Sequence, residues 1–234
     1  MSRFDDQPVF RNGAAISAID EGLRSFMLRV YNYMALGIGL TGVIAYFIIS
    51  NGMIKTLAPY SLLFMLAPFG VVMFLSIRLD KMESATAQML FWVYAALMGI
   101  SLSFMLARFN IESIARVFFI TASVFGSMSL YGYTTKKDLT SIGSFMIMGL
   151  WGVILASVVN MFMQSSPMQL LISVLSVIIF TGLTAYDTQK IKEIYTESDH
   201  AEIASKKAVF GALTLYLDFI NIFVSLLHIF GDRK

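Results

Sequence analysis

An all-α membrane protein, a bundle of seven transmembrane helices, is the fold class that the sequence predicts. Two observations lead to it. Of the 234 residues, 57% are hydrophobic and only 14% are charged, whereas an ordinary soluble domain is about 25% charged. The charged residues are also confined to short clusters, and the stretches between the clusters are long. Water is therefore not the main solvent of this chain.

Stretches free of Asp, Glu, Lys and Arg define the helices in order. A hydrocarbon core of about 30 Å needs roughly 20 apolar residues of helix. The stretches that can cross once are 30–54, 56–77, 84–107 and 117–135. The next, 139–186, is long enough for two crossings, with a turn at Ser165, Ser166 and Pro167. The last, 208–230, is interrupted only by Asp218.

No segment is left over for a soluble domain. We expect a polar N-terminal tail at 1–24, a seven-helix transmembrane domain at 25–231 and a short C-terminal tail at 232–234. The N-terminal tail mixes both charges and lacks the short apolar stretch of a cleavable signal, so the first helix is expected to be retained. With no cysteine in the chain, disulfides and thiolate zinc sites are excluded.

The basic residues predict the orientation, because Lys and Arg concentrate in cytoplasmic loops. If the N-terminus is cytoplasmic, twelve basic residues lie inside and five outside. The inner set is Arg3, Arg11, Arg24, Arg29, Arg78, Lys81, Lys136, Lys137, Lys190, Lys192, Lys206 and Lys207, and the outer set is Lys55, Arg108, Arg116, Arg233 and Lys234. The side of the C-terminus stays open, because the last segment could be re-entrant.

Signals of catalysis are absent from the sequence. It has no glycine-rich phosphate loop, no Ser/His/Asp order and no intramembrane His-Glu pattern. We expect no enzymatic activity, no cofactor and no nucleic-acid partner, and the oligomeric state stays open. Two pairs of small residues, Ala95 with Gly99 and Ala122 with Gly126, should let the third and fourth helices pack closely, although an oligomer face is the alternative.

Asp218 is the residue that most needs a functional explanation. A carboxylate at membrane depth costs at least about 2.5–3.5 kcal/mol. Asp218 stands ten residues into its apolar segment, roughly 15 Å from the inner boundary and near the midplane. Its helical neighbours Thr214 and Asn221 are polar, which is typical of a bundle interior or a water-filled cavity.

Asp187, near the inner end of the sixth helix, is the natural partner of Asp218. Counting residues places it nearer the boundary by about 10 Å, so contact requires the seventh helix to slide. Two carboxylates in such a site share a proton and titrate as a unit. When ionised they offer the hard oxygens that Ca²⁺ prefers. The alternative is that each aspartate caps a helix or bonds to a neighbouring helix.

Other side chains near these aspartates could support them. The polar groups that could add ligand oxygens are Thr184, Thr188, Tyr216 and Asn221. Arg78, at the inner end of the second helix, could act as a latch that locks the two aspartates as a cation. The alternative for Arg78 is a snorkelling arginine at the membrane boundary.

Three runs of sequence resemble signatures of the Bax inhibitor-1 (transmembrane Bax inhibitor motif) family. They are SMSLYGYTTKKDL at 127–139, GLTAYDTQKI at 182–191 and GALTLYLDFINIF at 211–223. The resemblance spans all seven helices and is closest to the bacterial inner-membrane members. It implies a multi-pass inner-membrane protein with the seventh helix at the centre of the bundle.

The resemblance also implies a function. It suggests a pH-sensitive calcium leak channel gated by a di-aspartyl sensor, with the sensor residues matching Asp187 and Asp218 and the latch matching Arg78. Ca²⁺ would then be the transported or bound ion. The alternative is a non-enzymatic regulator that binds a membrane partner, such as a membrane-anchored ATP-dependent protease, through residues 1–24.

Overall fold

The structure, a computed structural model, describes the chain from residue 8 to residue 234, with side chains from residue 21 onward except at residue 80. The first seven residues of the predicted tail lie outside this range. The long helices are α1 (Pro8–Ser50), α2 (Ser61–Arg78), α3 (Ser84–Leu106), α4 (Ile111–Thr134), α5 (Thr140–Met163), α6 (Ser166–Glu193) and α7 (Ala201–Phe230). Short helical turns at Ile54–Leu57, Ala58–Tyr60 and Leu79–Lys81 complete the connections.

All seven long helices are long and apolar enough to cross a membrane. The predicted seven-helix class is therefore confirmed. The helix ends differ from the charge-free stretches, because a basic side chain near a boundary can extend to the headgroups without ending the helix. The described part of the α1 span includes Arg24 and Arg29, and α4, which begins at Ile111, includes Arg116.

α7 is the central helix of the bundle, as expected. It packs against α1, α3, α4 and α6. In its most apolar 18-residue window, 72% of the residues are buried, whereas the value is 44% for α6 and 11% for both α2 and α5. The peripheral helices α2 and α5 instead expose large apolar side chains, such as Phe69 and Phe162, which suits contact with lipid.

The two ends of the bundle can be told apart by contacts between connections. At the N-terminal end, where α1 begins, the rings of Phe26 and Tyr195 are 5.5 Å apart, so the α6–α7 loop lies beside α1. At the opposite, C-terminal end, the N–H of Lys234 donates to the carbonyl of Arg108 over 2.9 Å. α7 therefore crosses the whole bundle, and the re-entrant alternative does not apply.

The small-residue pairs behave differently on the two helices. On α3, a Cβ at Gly99 would stand 2.8 Å from the carbonyl oxygen of Thr41, and Ala95 is fully buried. This pair packs α3 tightly against α1, as predicted. On α4 the prediction is wrong at Gly126, which has no atom within 4 Å of an added Cβ, whereas Ala122 is partly buried against the core. α4 packs through a neighbouring face that includes Phe125 and Ser129, and this rotation leaves Gly126 exposed.

Candidate functional site

Asp218 lies in the middle of α7, the most buried helix. Its side chain is only 3% exposed. The neighbours on either side in the helix, Leu215 and Ile222, are completely buried and apolar. The helix therefore holds this carboxyl inside the bundle and away from lipid, the placement expected for an acidic residue at membrane depth.

Asp187 lies on α6, two turns before the helix ends at Glu193. Its carboxyl group lies close enough to that of Asp218 for the two groups to interact electrostatically. The structure thus brings the two aspartates together, although counting from residue 208 leaves an axial offset between them. The loop of residues 194–200 accommodates this offset, since a chain segment can span about 3.3–3.6 Å per residue.

The proximity of this aspartate pair (Asp187 and Asp218) disfavours two negative charges. Two carboxylates that lie so close repel each other, and sharing one proton relieves the repulsion. Among the residues whose side chains are described, no Lys or Arg forms an ion pair with either aspartate. The Oδ2 atom of Asp218 is also buried and has no hydrogen-bond partner among these described residues. Such an unsatisfied group costs about 1–3 kcal/mol, so stability does not explain it.

Close helix contacts fix the segment of α6 that carries Asp187. A Cβ at Gly132 of α4 would collide with the backbone of Ala185, and one at Gly143 of α5 would collide with the ring of Tyr186. Only hydrogen atoms fit at these two positions. α6 is therefore held between α4 and α5 immediately before Asp187.

Gln189 ties the same part of α6 to the α4–α5 loop. Its Oε1 accepts from the N–H of Leu139 over 2.9 Å, and its Nε2 donates to the carbonyl of Lys137 over 2.8 Å. The loop also contains Asp138, which is exposed; the hydroxyl and N–H of Thr140 hold the pKa of this carboxyl below its usual range. The runs 127–139, 182–191 and 211–223 thus meet around the aspartate pair.

A chain of hydroxyl groups runs from α1 through α4 to the residue after Asp187. The hydroxyls of Tyr31 and Ser129 are 2.5 Å apart, and those of Ser129 and Thr188 are 3.0 Å apart. The hydroxyl of Thr188 donates its proton to the carbonyl of Thr184 over 2.7 Å. Because each hydroxyl has one proton, Ser129 must donate to Thr188 and Tyr31 must donate to Ser129.

The predicted supporting groups make other contacts. Thr184 donates to the carbonyl of Phe180 over 2.7 Å, and Asn221 donates to that of Leu217 over 2.8 Å. The hydroxyl of Tyr216 lies 2.7 Å from that of Thr41 on α1. Tyr216 is two residues from Asp218 and so points to a different side of α7. None of these hydrogen bonds reaches the aspartate pair.

Arg78 is not brought to the aspartate pair either. Its side chain is exposed at the end of α2, and α2 packs mainly on α3. The position agrees with the snorkelling alternative, and the latch role stays a prediction. Ser129, Gly132 and Gln189 are the site residues that sequence reasoning missed. Their only signal was their place in the runs 127–139 and 182–191.

The chemistry open to the site is limited by its ligand set. No group of three or more His, Cys, Asp or Glu side chains comes together in the described part of the chain. Two carboxylates fall short of the six to eight oxygens that a Ca²⁺ site usually supplies. The geometry suits a proton or a loosely held cation.

The fold and the site define a multi-pass integral membrane protein with a pair of neighbouring carboxyl groups on its last two helices, of which that of Asp218 is buried. The family model described as "Inhibitor of apoptosis-promoting Bax1" matches residues 23–234. The chain belongs to this family, the Bax inhibitor-1 family, as its three motifs indicated.

Relatives in several bacteria agree with this assignment. An uncharacterized protein of Rickettsia prowazekii is 49% identical over 218 residues, covering 92% of each chain. The inner membrane protein YbhL of Escherichia coli is 40% identical over 219 residues, covering 91% of this chain and 94% of its own. An uncharacterized membrane protein of Streptococcus pyogenes is 35% identical over 217 residues, with 91% and 94% covered.

Proposed function

We propose that the protein is a passive, pH-sensitive Ca²⁺ leak channel without enzymatic activity, in which the aspartate pair is the gate. The observation that carries the proposal is the proximity of two carboxyl groups on α6 and α7, with no basic side chain paired to either in the described residues. With its proton, the pair joins α6 to α7. Without it, the two charges repel each other and attract a cation.

The small number of oxygen ligands at the aspartate pair favours a channel that conducts Ca²⁺ over a site that retains it. An ion that crosses a channel must bind well enough to enter and weakly enough to leave. Two carboxylates, and few other free oxygens, would hold Ca²⁺ loosely. Protons and Ca²⁺ compete for the same oxygens, so Ca²⁺ binding should strengthen as the pH rises.

The test is Ca²⁺ influx into liposomes that contain the purified protein and a calcium-sensitive dye. We expect influx above that of empty liposomes, a rate that changes between about pH 5 and pH 8, and a half-saturating Ca²⁺ concentration that falls as the pH rises, since proton loss adds charge to the pair. The absence of influx above empty liposomes would reject the channel.

We further propose that the protein lies in the bacterial inner membrane with its N-terminus in the cytoplasm. The excess of basic residues at the N-terminal end of the bundle supports this orientation. Asp187 lies about two turns from the end of α6 that leads into the α6–α7 loop. In this orientation the aspartate pair would therefore lie nearer the cytoplasm.

Single cysteines test the orientation, because the chain has none. Lys136 and Arg108 are exposed at opposite ends of the bundle. In intact spheroplasts, a membrane-impermeant maleimide should label the Arg108→Cys variant but label Lys136→Cys only after lysis. The reverse pattern would place the N-terminus outside.

The alternative function, a regulator of a membrane partner, rests on the sequence. Residues 1–20 are rich in polar and charged side chains of both signs. In this alternative they would bind a membrane partner such as a membrane-anchored ATP-dependent protease. Deleting residues 1–20 should abolish copurification with that protease and spare Ca²⁺ influx if this function holds.

A further inference from the structure

A groove between α1 and α4 opens toward the lipid at the N-terminal end of the bundle. Its volume is about 540 Å³, within the range of pockets that hold small ligands. It exists because α1 and α4 both pack on α7 but make little contact with each other. The lining residues are Arg24, Met27, Leu28, Tyr31, Phe125, Gly126, Ser129, Leu130 and Tyr133.

The walls of this α1–α4 groove are apolar, and its mouth is basic. Leu28 and Leu130 are more than half exposed, so their side chains are free to contact a ligand. Arg24 is exposed, lines the groove, and forms none of the ion pairs in the described residues. Lys192 reaches the same region, with its Nζ 5.5 Å from the centre of the Tyr133 ring.

The deeper part of the groove carries hydroxyl groups. Tyr31 and Ser129 both line it, and Ser129 is only 3% exposed. From Arg24 to Tyr31 is seven residues of helix, about 10 Å along the axis. A ligand in the groove would thus meet a cation first, then aliphatic and aromatic walls, then hydroxyls.

We propose that the α1–α4 groove binds one anionic phospholipid from the surrounding leaflet, with its phosphate at Arg24 and an acyl chain along Met27, Leu28 and Leu130. Basic pockets between transmembrane helices bind anionic headgroups in this way. The occupant is a lipid because the groove opens sideways between two membrane-spanning helices and its walls are apolar. The site is independent of the Ca²⁺ proposal.

Another cavity among the described residues provides matched controls. It has a volume of about 490 Å³, lies at the C-terminal end between α1, α3, α4 and α7, and is lined by Gly42 and Lys234 among others. Neither Gly126 nor Gly42 has an atom within 4 Å of an added Cβ. Leucine at either position should therefore fill its cavity without forcing the helices apart.

The experiment is native mass spectrometry of the purified protein titrated with phosphatidylglycerol or with phosphatidylcholine of the same acyl chains. Wild type should prefer phosphatidylglycerol. Arg24→Gln should reduce that preference about fivefold, the effect of one basic residue at a membrane surface. Gly126→Leu should abolish the preferred binding, whereas Lys234→Gln and Gly42→Leu should leave it unchanged.

Each other outcome overturns the proposal. Equal binding of both lipids by wild type, or unchanged binding by Arg24→Gln and Gly126→Leu, would remove the site. Loss in Lys234→Gln and Gly42→Leu instead would place the lipid in the other cavity. Displacement by inorganic phosphate at millimolar concentration would make the ligand a free anion, with no role for the acyl chain.

Discussion

Asp218→Asn is expected to remove the pH dependence of Ca²⁺ influx. The amide has the shape of the carboxyl and can donate an N–H to Asp187, as a protonated carboxyl does. It cannot ionise, so the contact between α6 and α7 persists at every pH. Influx through this variant should differ by less than about twofold between pH 5 and pH 8, because the repulsion that drives the gate is absent.

The expected size of the pH effect on wild-type influx follows from electrostatics. Two unit charges about 4 Å apart repel by about 4 kcal/mol at an effective dielectric constant of about 20. If about a third of that energy shifts the balance between the closed and the open gate, the rate of Ca²⁺ influx through wild type changes about tenfold as the aspartate pair titrates. Asp187→Asn should have the same effect as Asp218→Asn. The double variant should add little, because either change already removes the coupled titration.

Asp138→Asn is the matched control for these variants. Asp138 lies at the same end of the bundle but is exposed and bonded to Thr140. Its substitution should leave influx and its pH dependence unchanged. A pH profile in Asp218→Asn that matches wild type would remove the pair from the gate, provided that the variant elutes as a folded protein on size exclusion.

Composition was sufficient to predict the seven helices, because the cost of charge in lipid confines Asp, Glu, Lys and Arg to the ends of the spans. The same rule failed at the helix boundaries. α4 begins at Ile111, before the charge-free stretch 117–135, and its Arg116 pairs with the distant Asp232 over 2.8 Å. Such a pairing between distant parts of the chain is invisible in a local reading.

The candidate site was predictable in part for a related reason. Asp218 stood out because burial of a carboxylate is costly anywhere in a span. Its contact with Asp187 depends on where α6 and α7 begin and end and on how the loop of residues 194–200 joins them. Gly132 and Ser129 are common residue types in membrane helices. Their roles depend on which helix packs against them, and the local sequence does not specify that helix.

Gly132→Ala is expected to destabilise the bundle beside the aspartate pair. A Cβ at this position would collide with the carbonyl group of Ala185, which belongs to the α6 backbone and cannot rotate away as a side chain could. The helices must move apart, and overpacking of this kind costs about 1–3 kcal/mol. For a chain of this size the melting temperature should fall by roughly 3–10 °C, as measured by thermal unfolding in detergent.

Gly126→Ala is the control on the same helix. Gly126 has no neighbour within 4 Å of an added Cβ, and alanine favours a helix over glycine by up to about 1 kcal/mol. This variant should therefore be as stable as wild type or slightly more stable. Equal melting temperatures for the two alanine variants would show that α4 and α6 are not in close contact at Ala185. A loss confined to Gly132→Ala would instead establish that α4 fixes the position of α6 two residues before Asp187.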